Sequence, residues 1–177
     1  HYTISMEALN FGKHVFCEKP VDLELGRVKD VKDLVAKTGK KYMVGFNRRF
    51  DHNFMAIKEN IDKCLIGKLE LIQITSRDPE PPPISYVKVS GGLFCDMMIH
   101  DFDMVRYLSS SNPKSVTAIG DALVNPKIKT EGNDIDTAIV SIELENGALA
   151  VITNSRRASY GYDQRAEVHG ELGALSC

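Results

Sequence analysis

The chain reads as a succession of helical and extended periodicities. Near its start, Ile4, Ala8, Leu9 and Phe11 recur at helical spacing and stop at Gly12, a residue type that ends helices because it tolerates a left-handed backbone. A short strand from His14 to Cys17 is predicted next, ended by Pro20, which has no N–H to give to a ladder. In DLELGRVKDVKDLVAKTGKK, Leu25, Val28, Val31, Leu34 and Val35 fall on one helical face and the charges on the other. Asp22 is the expected N-cap there and Gly39 the stop. Tyr42 to Phe46 (YMVGF) is an apolar run without alternation, the pattern of a parallel strand covered on both faces. Helix, strand, helix, strand in this order predicts βαβ winding over residues 1–46.

Beyond Phe46 the pattern changes. A helix is predicted from Asn53 to Leu65, and strand-like segments then dominate: Leu69 to Ser76, Val116 to Ala122, Thr137 to Leu144, Ala148 to Asn154 and Arg165 to His169. Glu145-Asn146-Gly147 is a hairpin signal, so these strands are expected to be mainly antiparallel. The terminal GELGALSC also reads as a strand. DPEPPPISYVKVSGG reads as a proline-rich loop of the kind that shapes a site or an interface, followed by a helix from Phe94 to Leu108. In Thr137 to Ile142 and Ala148 to Ile152, apolar residues occupy adjacent as well as alternate positions, which predicts burial on both faces. The second cover is either a helix of the same chain or a second subunit.

Composition narrows the class. With 22 Lys+Arg against 24 Asp+Glu the net charge is −2, which excludes a charge-driven nucleic-acid or membrane binder, and no apolar run is long enough to span a bilayer. Cys17, Cys64, Cys95 and Cys177 lie far apart with no CxxC spacing, and HYTISMEALNFGKH has no signal-like apolar core. Reduced thiols and a cytoplasmic location are expected.

Four segments could carry chemistry. Glu18-Lys19-Pro20 follows a strand, where ligands of open α/β sheets bind; a solvated strand-end lysine is the plain alternative. The Lys19–Pro20 bond can be cis at low cost. Asp96 and His100 stand four apart, so on a helix a carboxylate backs an imidazole, as a general base needs; a structural helix-face pair is the alternative. No further His or Cys lies at ligand spacing, so no metal is expected. Arg48, in FNRRF, follows the second buried strand and can meet a polyol or an anion, and Tyr160-Gly161-Tyr162-Asp163 reads most simply as a turn with aromatic cover. No GxGxxG fingerprint occurs in the 177 residues.

In combination, AL-x-x-GKHVFCEKP, GFNRRFD and GG-x-x-x-D-x-x-x-H-D-x-D strongly resemble the Gfo/Idh/MocA family of nicotinamide-dependent oxidoreductases, across essentially the whole chain. The resemblance implies an α/β fold in which a partial Rossmann-type parallel sheet is followed by an open, mostly antiparallel sheet with helices on one face. Residues 1–46 would be the end of the dinucleotide-binding domain and 47–177 most of a substrate-binding and oligomerisation domain, as in a piece cut at both ends and inactive alone. SRDPEPPPISYVKVSGG is closest to members that oxidise myo-inositol. The implied reaction is oxidation of a secondary alcohol of a cyclitol or sugar with NAD, NADP being the alternative, and with myo-inositol and its 2-keto product favoured. A regulatory protein that binds dinucleotide or sugar without turnover is the competing class.

By motif, Lys19, Asp96 and His100 match the family's catalytic residues, with His100 the proton acceptor. Glu18, Lys19 and Pro20 fall at the cofactor. Arg48 and Asp78 fall among substrate-side polar residues, and Tyr160 and Tyr162 keep both readings, turn cover or substrate contact. The implied partners are a small polyol and further copies of the chain, as a homodimer or homotetramer through the second sheet.

Overall fold

The computed structural model describes residues 1–177 and divides into two compact units, His1–Asn47 and Arg48–Cys177. In the first, helix α1 (Tyr2–Asn10), strand β1 (Val15–Cys17), helix α2 (Leu25–Thr38) and strand β2 (Tyr42–Val44) follow in the expected order, and β1 and β2 pair in parallel. Gly39 ends α2 in the left-handed conformation, its N–H bonded to Val35 O. Asp22 is not the N-cap. Its carboxylate accepts from the Glu24 N–H two residues on, and Glu24 caps a helix that starts at Leu25. An aspartate that closes a local turn delays the helix by the length of that turn. The two-sided cover expected for Tyr42 to Phe46 is also absent: Phe16 and Met43 are register partners and both are exposed.

The second unit opens with a short 3₁₀ turn and helix α3 (His52–Asp62), whose N-cap Asp51 accepts from the Asn53 and Phe54 N–H groups. Strand β3 (Leu69–Arg77) follows, then helix α4 (Ile84–Ser90) inside the segment expected to be loop. Pro83 stands just ahead of α4, where a missing N–H costs nothing. The helix expected from Phe94 to Leu108 is a π-helical turn over Phe94–Met98 continued by α5 (Ile99–Ser109). Strand β4 (Pro113–Asp121), the short helix α6 (Pro126–Thr130), and strands β5 (Thr137–Leu144), β6 (Leu149–Ser155), β7 (Asp163–Gly170) and β8 (Gly173–Ser176) complete the unit.

The six strands form one sheet in the order β4-β5-β6-β3-β7-β8. Every pairing is antiparallel except β3 with β6. The β5–β6 hairpin turns at Glu145-Asn146-Gly147, with Gly147 at φ +88°, as its sequence predicts. Burial alternates along β5 and β6, so the chain covers one sheet face, not two. That inner face carries the rungs Ile142–Ala150–Ile72–Val168 and Val140–Ile152–Ile74–Ala166, packed with Phe54 and Ile57 of α3 and Met104, Val105 and Leu108 of α5. The outer face leaves Ile119, Ile139 and Leu149 exposed. All four cysteines are free, and no helix is long and apolar enough to cross a membrane.

Candidate active site

The next inner rung is polar. Ser76 of β3 and Asn154 of β6 are register partners and both are buried, so the sheet offers hydrogen-bonding groups where its other rungs offer hydrocarbon. Asp101 of α5, fully buried, takes them up: Ser76 Oγ donates to its Oδ1 at 2.6 Å and Asn154 Nδ2 to its Oδ2 at 2.8 Å. Arg48 Nη1 also donates to Asp101, and to Ser76 Oγ at 3.2 Å. Burying a carboxylate is costly unless its oxygens are taken up by donors in this way. Arg48 is thus anchored in a network that sequence reasoning did not foresee. Next to it, Arg49 makes a two-pronged pair with Asp103, 2.7 Å at each prong, and stacks over the Tyr107 ring.

Because β3 and β6 run parallel, their carboxyl ends emerge side by side, with the Asp78 N–H bonded to Ser155 O at 3.1 Å. Asp78 follows β3 and Arg156 follows β6. Arg156 is 3% exposed and lies between two carboxylates: Nη2 donates to Asp96 Oδ2 at 3.0 Å, and Nη1 is 3.6 Å from Asp78 Oδ2. The other Asp96 oxygen accepts from the Tyr86 hydroxyl of α4 at 2.9 Å. Burial pushes the Asp78 carboxyl above its ordinary value, Arg156 pulls it back, and the Asp96 charge pushes it further up. The hydrogen bond to Asp96 raises the Tyr86 hydroxyl.

Asp96 lies in the π-helical turn and half-buried His100 in the first turn of α5. Such turns insert one residue into a helix and occur often at functional sites. The structure therefore gathers Asp96 and Asp78 around Arg156, with His100 four residues on from Asp96. Arg156 and Tyr86 were not foreseen, and neither carries a local pattern that marks it. Tyr160 belongs to a neighbouring cluster: its hydroxyl donates to Asp163 Oδ2 at 2.6 Å and accepts from Arg77 at 3.0 Å, while Arg165 grips the same carboxylate. Tyr162 is exposed.

In the first unit, Glu18, Lys19 and Pro20 follow the carboxyl end of β1, and the Lys19–Pro20 peptide is cis. Gly45, just past β2, leaves room for the Glu18 carboxylate, since a Cβ there would stand 2.9 Å from Glu18 Oε2. The carboxyl ends of parallel strands are where ligands of open α/β sheets bind. A glycine-rich pyrophosphate turn is not among the 177 residues.

Residues 54–176 match the GFO/IDH/MocA C-terminal domain, and residues 1–46 match the oxidoreductase family with an NAD-binding Rossmann fold. The chain belongs to the Gfo/Idh/MocA family of oxidoreductases. It is 52% identical over 165 residues to an inositol 2-dehydrogenase of Rhizobium meliloti, covering 93% of this chain and 50% of that protein. To a myo-inositol 2-dehydrogenase of Thermotoga maritima it is 51% identical over 166 residues, covering 92% of this chain and 48% of the other. A crystal structure of scyllo-inositol dehydrogenase from Lactobacillus casei with bound NAD(H) and scyllo-inositol superposes with a TM-score of 0.90 at 33% identity, covering 100% of this chain and 54% of that one. The chain spans about half the length of these relatives.

Proposed function

We propose that the protein oxidises a secondary alcohol of a cyclitol, myo-inositol at its 2-position, with NAD as the hydride acceptor. The observation that carries this reading is the Asp96–Arg156–Asp78 cluster, with His100 four residues on from Asp96 at the start of α5, in a chain half identical to inositol dehydrogenases. Glu18, Lys19 and Pro20 would meet the nicotinamide end of the dinucleotide, which when bound supplies the carbon that accepts the hydride. His100 takes the hydroxyl proton, and an alcohol that loses its proton in step with its hydride avoids a free oxocarbenium charge. Asp96, held by Arg156 and Tyr86, is assigned to orient the base, which stands four residues on in the first turn of α5. Lys19 is assigned by its motif to the catalytic residues. Arg48 and Asp78 are assigned to hydroxyl groups away from the reacting carbon, and Tyr160 and Tyr162 to the outer rim.

A buried polar pocket rejects a stereoisomer that leaves its donors and acceptors unpaired. In the intact protein assayed with NAD and NADP against a panel of inositols and aldoses, myo-inositol with NAD is expected to give the highest kcat/KM. Saturable dinucleotide binding with no oxidation of any cyclitol would instead make this a sensor.

The outer sheet face is assigned to a second copy of the chain. Ile119, Ile139 and Leu149 stand on adjacent strands among threonines and serines, a mixed surface that gains by being covered. Sizing of the intact protein at micromolar concentration should return a dimer or tetramer, and a monomer would remove this assignment.

A further inference from the structure

Asp96 is fixed by what surrounds it, and three of those surroundings trace back to one loop. Leu93, from which the π-helical turn starts, donates its N–H to both carboxylate oxygens of Asp134, at 3.1 and 3.2 Å. Gly92 makes room for this contact: its φ is +77°, and a Cβ there would lie 2.6 Å from Asp134 Oδ1. Two residues earlier in the loop, Gly132 packs so closely that a Cβ would come within 2.8 Å of Val87 Cγ1, beside Tyr86 on α4. Two residues later, Asp136 O accepts from the Arg156 N–H at 2.9 Å. The loop therefore touches the start of the Asp96 turn, the helix that carries its hydroxyl partner and the backbone of its guanidinium partner.

The loop is itself pinned. The fully buried Asp136 carboxylate accepts from the N–H groups of Leu123, at 2.8 Å, and Asn125, at 2.8 Å, and from Val124 between them. Groups held through several charge-assisted bonds to backbone transmit position with little slack. We propose that Asp134 is a positioning residue for the reaction, a clasp that sets where the Asp96–His100 turn stands. This rests on the cyclitol-oxidising reading given above. Asp134 acts through Leu93, not on the substrate. The helix start it holds would otherwise leave a backbone donor without a fixed acceptor, directly ahead of the π-helical turn. A general base works only within hydrogen-bond reach of its proton, and a displacement near 1 Å costs about a hundredfold.

The test uses the intact protein with Asp134→Ala and Asp134→Asn. In the alanine variant kcat per folded molecule should fall about 10- to 100-fold while KM moves less than about threefold. Asparagine keeps an oxygen for the Leu93 N–H and should recover kcat to within a few-fold of wild type. Hydrogen exchange supplies a readout independent of substrate: amides 93–100 should exchange faster in the alanine variant, with those of β3 unchanged. Unchanged exchange over 93–100 would overturn the clasp, and so would an unchanged kcat per folded molecule, which would leave Asp134 a purely structural residue. If the wild type oxidises no cyclitol, the functional reading fails by itself and the exchange measurement still decides the clasp.

Discussion

If His100 is the base of the proposed cyclitol oxidation, replacing it by alanine in the intact protein is expected to lower kcat for myo-inositol about 10²- to 10⁴-fold, the range that a positioned general base supplies. Alanine removes the imidazole but leaves the residues that hold the turn: Arg156 and Tyr86 still engage Asp96, and Asp101 still ties α5 to Ser76 and Asn154. The polyol should therefore still be bound, with KM changed by only a few-fold, and dinucleotide affinity should be nearly unaffected. A mutation that lowers kcat and kcat/KM together has removed an interaction made in the transition state, whereas a rise in KM alone would mark His100 as a binding residue. Equal turnover in the variant would remove it from the mechanism.

The parts of this molecule that were legible from sequence are those whose signal is local. β5 occupies Thr137–Leu144 as its pattern predicts, Gly39 takes the left-handed cap, and the Asn146-Gly147 hairpin turns where expected, because each depends on a few neighbouring residues. Asp96 and His100 are proposed as site residues from spacing and motif, both local signals. What was missed is non-local or leaves no residue signature. Helix α4 hides behind three prolines that read as loop, although Pro83 stands at its start. The π-helical turn is marked by no residue type. Arg156 was unforeseen because only the parallel pairing of β3 with β6, across some 70 intervening residues, sets it beside Asp78. Asp101 belongs to the motif that carries the resemblance, but nothing local in the sequence shows that it is buried. It is buried because the rung it faces, Ser76–Asn154, is polar, and the strand register that makes that rung is again non-local.

The same reasoning makes Arg156→Met a strongly destabilising change for the second unit. Arg156 has 4% of its side chain exposed and its carboxylate partners 14% and 25%, so the three are largely withdrawn from water. Methionine keeps much of the volume of the arginine stem but takes away the guanidinium that Asp96 and Asp78 share, leaving Arg48 as the remaining cation that acts on Asp78. Breaking a buried pair from one side costs about 3–5 kcal/mol. The pH dependence is specific to this arrangement. Asp78 is already raised by burial, with Arg156 the main influence holding it down, so the variant should raise it further. Between the ordinary carboxyl range and that raised value the native state holds a proton that the unfolded chain has lost, so stability falls as pH rises through the window. The deficit of Arg156→Met relative to wild type, measured by urea unfolding, should therefore be larger at pH 7 than near pH 4.5, about where free carboxyls titrate. Adding Asp78→Asn to the variant removes one of the two stranded charges and should recover part of the loss, a coupling that a double-mutant cycle reads directly. Arg156→Lys should recover less than the parent arginine provides, because a single ammonium cannot face two carboxylates with separate nitrogens. A deficit below about 1 kcal/mol, or one that does not change with pH, would mean that the guanidinium is not what holds the two carboxylates in place.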